Sequence, residues 1–189
     1  MHVLLISGST RSGSTNTAVL RTAREVSPEG VTTALYPGMA GLPAFNPDDD
    51  HDPLPAAVAH LRRQLEQADA VLICTPEYAG ALPGAFKNLL DWTVGDPQMH
   101  GKPVAWLNVA SVAAPTGGSG AHGELATVLG YVGADVVEAA CARAPMTRQD
   151  VDDDGLVADH EIRAQLTAVL RALADHVQAA DRSPAPPTG

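Results

Sequence analysis

The chain has 189 residues, 45% of them hydrophobic and 4% aromatic, with a formal net charge of −10 from 12 basic and 22 acidic residues. That length suits a single domain with a full core built from Ala, Val and Leu. So acidic a chain, with no basic run or stripe, is a poor partner for nucleic acid or an anionic membrane surface, and it carries no apolar stretch long enough to cross a bilayer.

In chain order, residues 3–6 (Val-Leu-Leu-Ile) read as a strand and 14–25 as a helix with Val19, Leu20 and Ala23 inward. The opening Met-His-Val-Leu-Leu-Ile has no basic n-region and runs straight into that strand, which is not the pattern of a signal peptide. Residues 31–36 form a second predicted strand and 54–67 a second helix. Residues 70–74 form a third strand, apolar throughout as strands buried on both faces are; Cys74 within it reads as a small buried thiol. A helix over 83–92 has Pro83 at its first position. A fourth strand at 103–109, a helix at 119–131, a short fifth strand at 134–138 and a last helix at 159–179 complete the pattern. Strands and helices alternating in this way imply a parallel sheet with helices on both faces, joined by right-handed crossovers. One domain spanning 1–180 is expected. Residues 37–55, with five prolines and the acidic run Asp48-Asp-Asp-His-Asp52, read as a solvated excursion, and 181–189 as a disordered tail. Two cysteines, Cys74 and Cys141, suggest a reducing, cytoplasmic setting.

The first strand drops into Gly8-Ser-Thr-Arg-Ser-Gly13-Ser14-Thr15. This is a P-loop signature with Ser14 in place of the phosphate-gripping Lys. Without that Lys, and with no apolar strand ending in a metal-holding Asp, nucleotide hydrolysis is excluded. Dinucleotide binding at the loop is excluded as well, because Ser9-Thr10 stands where a second glycine is needed and Tyr36-Pro37 ends the second strand without an acid. What survives is a site for a compact phosphate monoester at a helix N-terminus. Ser9, Ser14 and Thr15 supply hydroxyls, Asn16 an amide and Arg11 a cationic fork.

The third strand leads into Thr75-Pro-Glu-Tyr-Ala-Gly-Ala-Leu-Pro-Gly-Ala-Phe-Lys-Asn-Leu-Leu-Asp-Trp92. Together with the first loop, this segment resembles the NADPH-dependent FMN reductase family of flavodoxin-like flavoproteins. Members carry G-S-x-R-x-x-S-x-N after strand one and P-E-Y-x-G-x-x-P-G-x-x-K-N-x-x-D-W after strand three. Every motif position is present: Gly8, Ser9, Arg11, Ser14 and Asn16, then Pro76, Glu77, Tyr78, Gly80, Pro83, Gly84, Lys87, Asn88, Asp91 and Trp92. The resemblance implies a doubly wound, three-layer α/β/α fold with a five-stranded parallel sheet in the order 2-1-3-4-5. It also implies bound FMN, with NADPH or NADH as co-substrate. Hydride passes from nicotinamide to flavin N5 and on to a small acceptor: a free flavin, quinone, azo compound or metal oxyanion. No protein group is then catalytic in its own right, and no metal is needed. A homodimer or homotetramer is implied. The alternative is a non-enzymatic FMN-binding electron carrier or redox-sensing partner protein.

By the same resemblance Ser9, Arg11, Ser14, Thr15 and Asn16 hold the FMN phosphate, and Pro76, Glu77, Tyr78, Ala79 and Gly80 face the isoalloxazine. Gly80 permits close backbone approach. Lys87 and Asp91 read as an (i, i+4) pair within their helix. Two positions depart from the family pattern. Ala79 stands where many members have Asn, which removes a polar contact. The loop after strand four, Ser111–Gly123, is shifted and more apolar, with Ser111, Gly117 and Gly118 as its candidate flavin contacts. His122 reads as a surface histidine at a helix start. Finally, Asp150–Glu161 satisfies the calcium-loop spacing D-x-[DN]-x-[DN]-G-x5-E. It lacks an entering helix and a paired loop, so it reads as a solvated turn with Asp159 capping the last helix.

Overall fold

The computed structural model describes residues 1–182. Strands β1 (His2–Ser7), β2 (Thr32–Leu35), β3 (Ala70–Cys74), β4 (Pro103–Asn108) and β5 (Asp135–Val136) lie in the order β2-β1-β3-β4-β5. All are parallel, with Val3 opposite Ala70 and Ser7 opposite Cys74 in the central pair. The order is the expected one, but the strand count is not. A sixth strand, β6 (Ala142–Arg143), also pairs with β4, beside Leu107 and Asn108, whereas β5 sits beside Pro103 and Val104. The fifth position is one strand interrupted by a 3-10 turn at Glu138–Ala140 that buries Ala140. Two residues are too few to leave a periodic signal, so β6 was not legible in the sequence.

Because side chains alternate across a strand, each central strand feeds two cores. Val3, Leu5, Ala70, Leu72 and Cys74 pack with α1 (Thr15–Glu25) and α5 (His160–Arg182). Leu4, Ile6, Val71 and Ile73 pack on the other face with α2 (Ala56–Gln67), α3 (Gly84–Asp91) and α4 (Ser119–Tyr131). This is the three-layer arrangement expected. Residues 181 and 182 belong to α5, so they are helical rather than part of a tail; 183–189, the rest of the expected tail, lie outside the described residues.

The segment 37–55 is not the loose excursion its prolines suggest. Asn88 Nδ2 and Trp92 Nε1 both donate to the Pro43 carbonyl, at 2.8 and 2.9 Å, and Phe45 N donates to Asn88 Oδ1 at 2.7 Å. The Phe45 ring meets Trp92 edge-on at 4.9 Å. Arg62 fastens the far end, pairing with Asp50 at 2.6 Å and Asp96 at 3.3 Å. Asn88 and Trp92 of the second motif are therefore anchors for this segment, while Lys87 and Asp91 make the expected (i, i+4) pair.

Candidate functional site

In a doubly wound sheet the strands deliver their C-terminal loops to one edge, and ligands bind there. The first loop starts with the Gly8 amide donating to the Cys74 carbonyl at 2.8 Å; a Cβ on Gly8 would collide with Thr75. Ser14 then caps α1 in extended conformation, φ −72° and ψ 132°, with its side chain making no cap hydrogen bond although the residue is only 2% exposed. The Thr15 and Asn16 amides at the start of the helix have no intrahelical partner, whereas the Thr17 amide already donates to the Ser14 carbonyl at 3.1 Å, and the helix dipole adds positive potential. Asn16 is buried beside them. The Cys74 thiol, held protonated by burial, donates to its Oδ1 at 3.2 Å, which leaves the Asn16 amide nitrogen as a donor. The guanidinium of Arg11 is exposed and hydrogen-bonds the Gly13 carbonyl at 3.4 Å.

The second loop is a tight turn in which the Tyr78 and Ala81 amides and carbonyls exchange bonds of 3.0 and 3.1 Å. Its central residues, Ala79 at φ +53° and Gly80 at φ +80°, have the paired positive φ of a type I′ turn. Glu77 ties this loop to the third. Its carboxylate accepts from the Thr116 hydroxyl and from the Ala121 amide, the latter at 3.0 Å, near the start of α4. Those bonds hold its pKa below the usual carboxylate value. A Cβ on Gly120 would collide with the Gly80 carbonyl, so the two loops touch backbone to backbone. The third loop is folded by buried Asn108, which donates to the Gly117 carbonyl at 2.9 Å and accepts from the Ala110 amide at 2.9 Å. Arg143 of β6 also reaches the Gly117 carbonyl, at 3.2 Å.

A cavity of about 380 Å³ opens where the three loops meet. From the sequence-predicted set it is lined by Arg11, Thr15, Asn16, Pro76, Glu77, Ser111 and Gly118. Ser9 and Ser14 instead face a second cavity, also about 380 Å³, on the β2 side of the first loop, and Arg11 lines both. Tyr78, Ala79, Gly80 and Gly117 line neither. Tyr78 is exposed, and Gly117 spends its carbonyl on Asn108 and Arg143. Residues the sequence did not single out complete the wall of the three-loop cavity: Thr75 and Asn108, the stretch Ala114, Pro115 and Thr116, and Met146, Thr147 and Arg148 from the segment after β6. Asn108 ends an apolar strand and was legible as a polar residue at a strand terminus. Arg148 arrives through β6 pairing, a long-range event with no local signature. His122 is half-buried, with its ring edge-on to Trp106 at 4.6 Å and Nδ1 against the Gly118 carbonyl at 2.8 Å.

In the calcium-like segment three of the carboxylates are engaged by nearby groups of the chain. Asp152 accepts from the Asp154 and Leu156 amides at 3.0 and 2.8 Å, and Asp159 from Glu161 and Ile162 at 2.8 and 3.0 Å, capping α5. Asp150 forms a capping box with Thr147, which lowers its pKa. Among the described residues no group of three or more His, Cys, Asp or Glu side chains is placed to hold a metal ion.

The family model described as NADPH-dependent FMN reductase matches residues 1–147. The chain is 32% identical over 182 residues to a quinone reductase of Escherichia coli (strain K12), covering 94% of this chain and 96% of that protein. It is 40% identical over 113 residues to an NAD(P)H-dependent FMN reductase of Pseudomonas aeruginosa, covering 59% of this chain and 60% of the other. Among solved structures, FerB, a flavoenzyme NAD(P)H:(acceptor) oxidoreductase from Paracoccus denitrificans, superposes with a TM-score of 0.79 at 27% identity, covering 94% of this chain and 97% of that one.

Proposed function

The chain belongs to the NADPH-dependent FMN reductase family and is an FMN-dependent NAD(P)H oxidoreductase, and from that premise we propose that it holds FMN in the three-loop cavity and reduces quinones. The observation that carries the placement is the chemistry of the cavity wall. Donors converge on it: the first-turn amides of α1, the Thr15 hydroxyl, the Asn16 amide and the guanidinia of Arg11 and Arg148. The carboxylate among its lining residues, Glu77, has both oxygens engaged by Thr116 and Ala121. A wall rich in donors and poor in free acceptors fits a phosphate dianion joined to a ring bearing carbonyls and imine nitrogens.

When bound, FMN supplies the hydride chemistry, taking reducing equivalents from nicotinamide and releasing them to the acceptor. The chain's own residues bind and orient. Arg11, Thr15 and Asn16 hold the phosphate at the positive end of α1. Pro76 and Gly118 bound the ring from two sides, and Glu77 fixes their separation by tying the second loop to α4. Ser9 and Ser14 line the adjoining face of the same loop, where their hydroxyls complete the phosphate cradle with Arg11. Quinone as acceptor is the reading favoured by the relative that matches along nearly its whole length. No helix among the described residues is long and apolar enough to cross a membrane; with two free cysteines, a cytoplasmic homo-oligomer acting on small molecules is the setting we infer.

The test is spectroscopic. The purified protein, given FMN and desalted, should keep a flavin absorption band, lose it on anaerobic addition of NADPH, and regain it on addition of a quinone. A protein that remains colourless after FMN loading overturns the placement of the cofactor. One that is reduced but not reoxidised by quinone overturns the acceptor.

A further inference from the structure

Two guanidinia line the three-loop cavity, those of Arg11 and Arg148, and the phosphate takes the first. We propose that Arg148 is the counter-charge for the flavin ring in its reduced state, favouring that state over the oxidised one and so raising the reduction potential. The inference rests on FMN occupying this cavity with its phosphate at the first loop.

The topology brings the two arginines in from different walls. In the order β1-β3-β4, β6 lies beyond β4, so with strands ~4.8 Å apart its end is roughly 14 Å from that of β1. The chain leaving β6 stays beside the third loop: the Ala144 amide donates to the Asn108 carbonyl at 2.9 Å, and the Met146 amide to the Val109 carbonyl at 3.4 Å. Met146 is buried and anchors the segment. The next turn, Arg148–Asp150, is braced by its capping box, in which the Asp150 carboxylate accepts from the Thr147 amide and hydroxyl at 2.6 and 2.9 Å. Arg148 therefore enters the cavity from the wall it shares with Ser111 and Gly118, the ring side, while Arg11 enters from the phosphate side. Its side chain makes no hydrogen bond or ion pair among the described residues. Neither acid close to it is free to neutralise it. Asp150 is committed to Thr147, and Glu77, across the cavity, to Thr116 and Ala121.

Charge balance gives this cation a use. Nicotinamide delivers a hydride, two electrons and one proton, so the ring gains one negative charge. The quinone takes the same hydride and one proton from solvent to become the hydroquinone, and the ring is neutral again. A positive group beside the ring favours the charged state over the neutral one, and charge near the ring nitrogens is a means by which a protein tunes a flavin. The oxidised ring has no net charge and gains little. In a chain of net charge −10 the overall field opposes the added charge, so a local cation is needed to offset it.

The experiment is a spectroelectrochemical titration of the FMN-loaded protein and of its Arg148→Gln and Arg148→Lys variants. Arg148→Gln should hold oxidised FMN as tightly as the parent and reduced FMN about tenfold more weakly, the lower end of what a charge-assisted hydrogen bond contributes. For a two-electron couple that is a fall in potential of about 30 mV, most of which Arg148→Lys should recover. The pH at which the reduced flavin takes up a proton, read from its absorption, should rise by about one unit in Arg148→Gln, because the charged form has lost its counter-ion. Melting temperature should stay the same, since the side chain bonds nothing else in the chain. An unchanged potential would overturn the proposal, as would an equal fall in the Lys and Gln variants. A loss of FMN affinity without any loss of riboflavin affinity would assign Arg148 to the phosphate and overturn it too. Failure of the parent protein to retain FMN would instead fault the flavin placement beneath it.

Discussion

Ala79 is the clearest case of a residue at odds with its backbone. It sits at φ +53° beside Gly80 at φ +80°, in a turn whose favoured dipeptide is Asn-Gly. An Asn, common at this position in the family, suits such a turn, so Ala here costs conformation. Ala79→Asn should stabilise the protein by about 0.5–1 kcal/mol, since the left-handed region penalises Ala by roughly that amount or more. Thermal melting should rise by about 2–3 °C; a fall would mean that the turn is not the constraint. Arg11 belongs to the opposite class, an exposed cation whose structural hydrogen bond is a long one of 3.4 Å. Arg11→Ala should weaken FMN binding about ten- to a hundredfold while riboflavin, lacking the phosphate, is little affected; equal losses for both ligands would remove Arg11 from the phosphate site. Glu77 carries a pH signature. Thr116 and Ala121 lower its folded pKa below the ordinary carboxylate value, so its contribution is present above that value and is lost as pH falls through the lowered pKa. Glu77→Gln should flatten the acid limb of the stability curve, read by melting temperature between neutral and acid pH.

The contact between loops is an element-scale property. The Gly80 carbonyl fills the space a Gly120 side chain would need. Gly120→Ala must therefore move backbone, costing about 1–3 kcal/mol, and should loosen flavin binding by separating the second loop from α4. Unchanged melting and flavin retention would show that the two loops are independent. The acidic hairpin leads to the opposite expectation: with Asp152 and Asp159 engaged by backbone amides, millimolar calcium should leave the melting temperature unchanged, and a saturable rise abolished by Glu161→Gln would overturn that. These elements also show what the sequence can and cannot reveal. Strand β3 and helix α4 have the predicted bounds because apolar runs and helical period are local properties. The motif residues of the first two loops were legible for the same reason, being contiguous in the chain. Thr147 and Arg148 reach the three-loop cavity through the pairing of β6 with β4, and no spacing along the chain encodes that. The docking of 37–55 was hidden likewise, because its anchors Asn88, Trp92 and Arg62 lie far along the chain.

At the scale of the whole molecule, a parallel sheet with one switch point gathers the β1, β3 and β4 loops at one edge, and with them the cavity bounded by Pro76, Ser111 and Gly118 that is proposed to hold the flavin ring. The tie from Glu77 to α4 and the contact of Gly80 with Gly120 close one side of that cavity. Reductant and acceptor must then use the same opening, and oxidised nicotinamide has to leave before a quinone enters. The kinetic consequence is a ping-pong pattern, as in other two-step transfers through a carried group. Steady-state rates measured against NADPH at several fixed quinone concentrations should give parallel double-reciprocal lines, and quinone at high concentration should inhibit competitively with NADPH. Intersecting lines would mean that both substrates are bound together. The ring cavity would then need a second entrance, which the backbone contact between Gly80 and Gly120 leaves no room for on the α4 side.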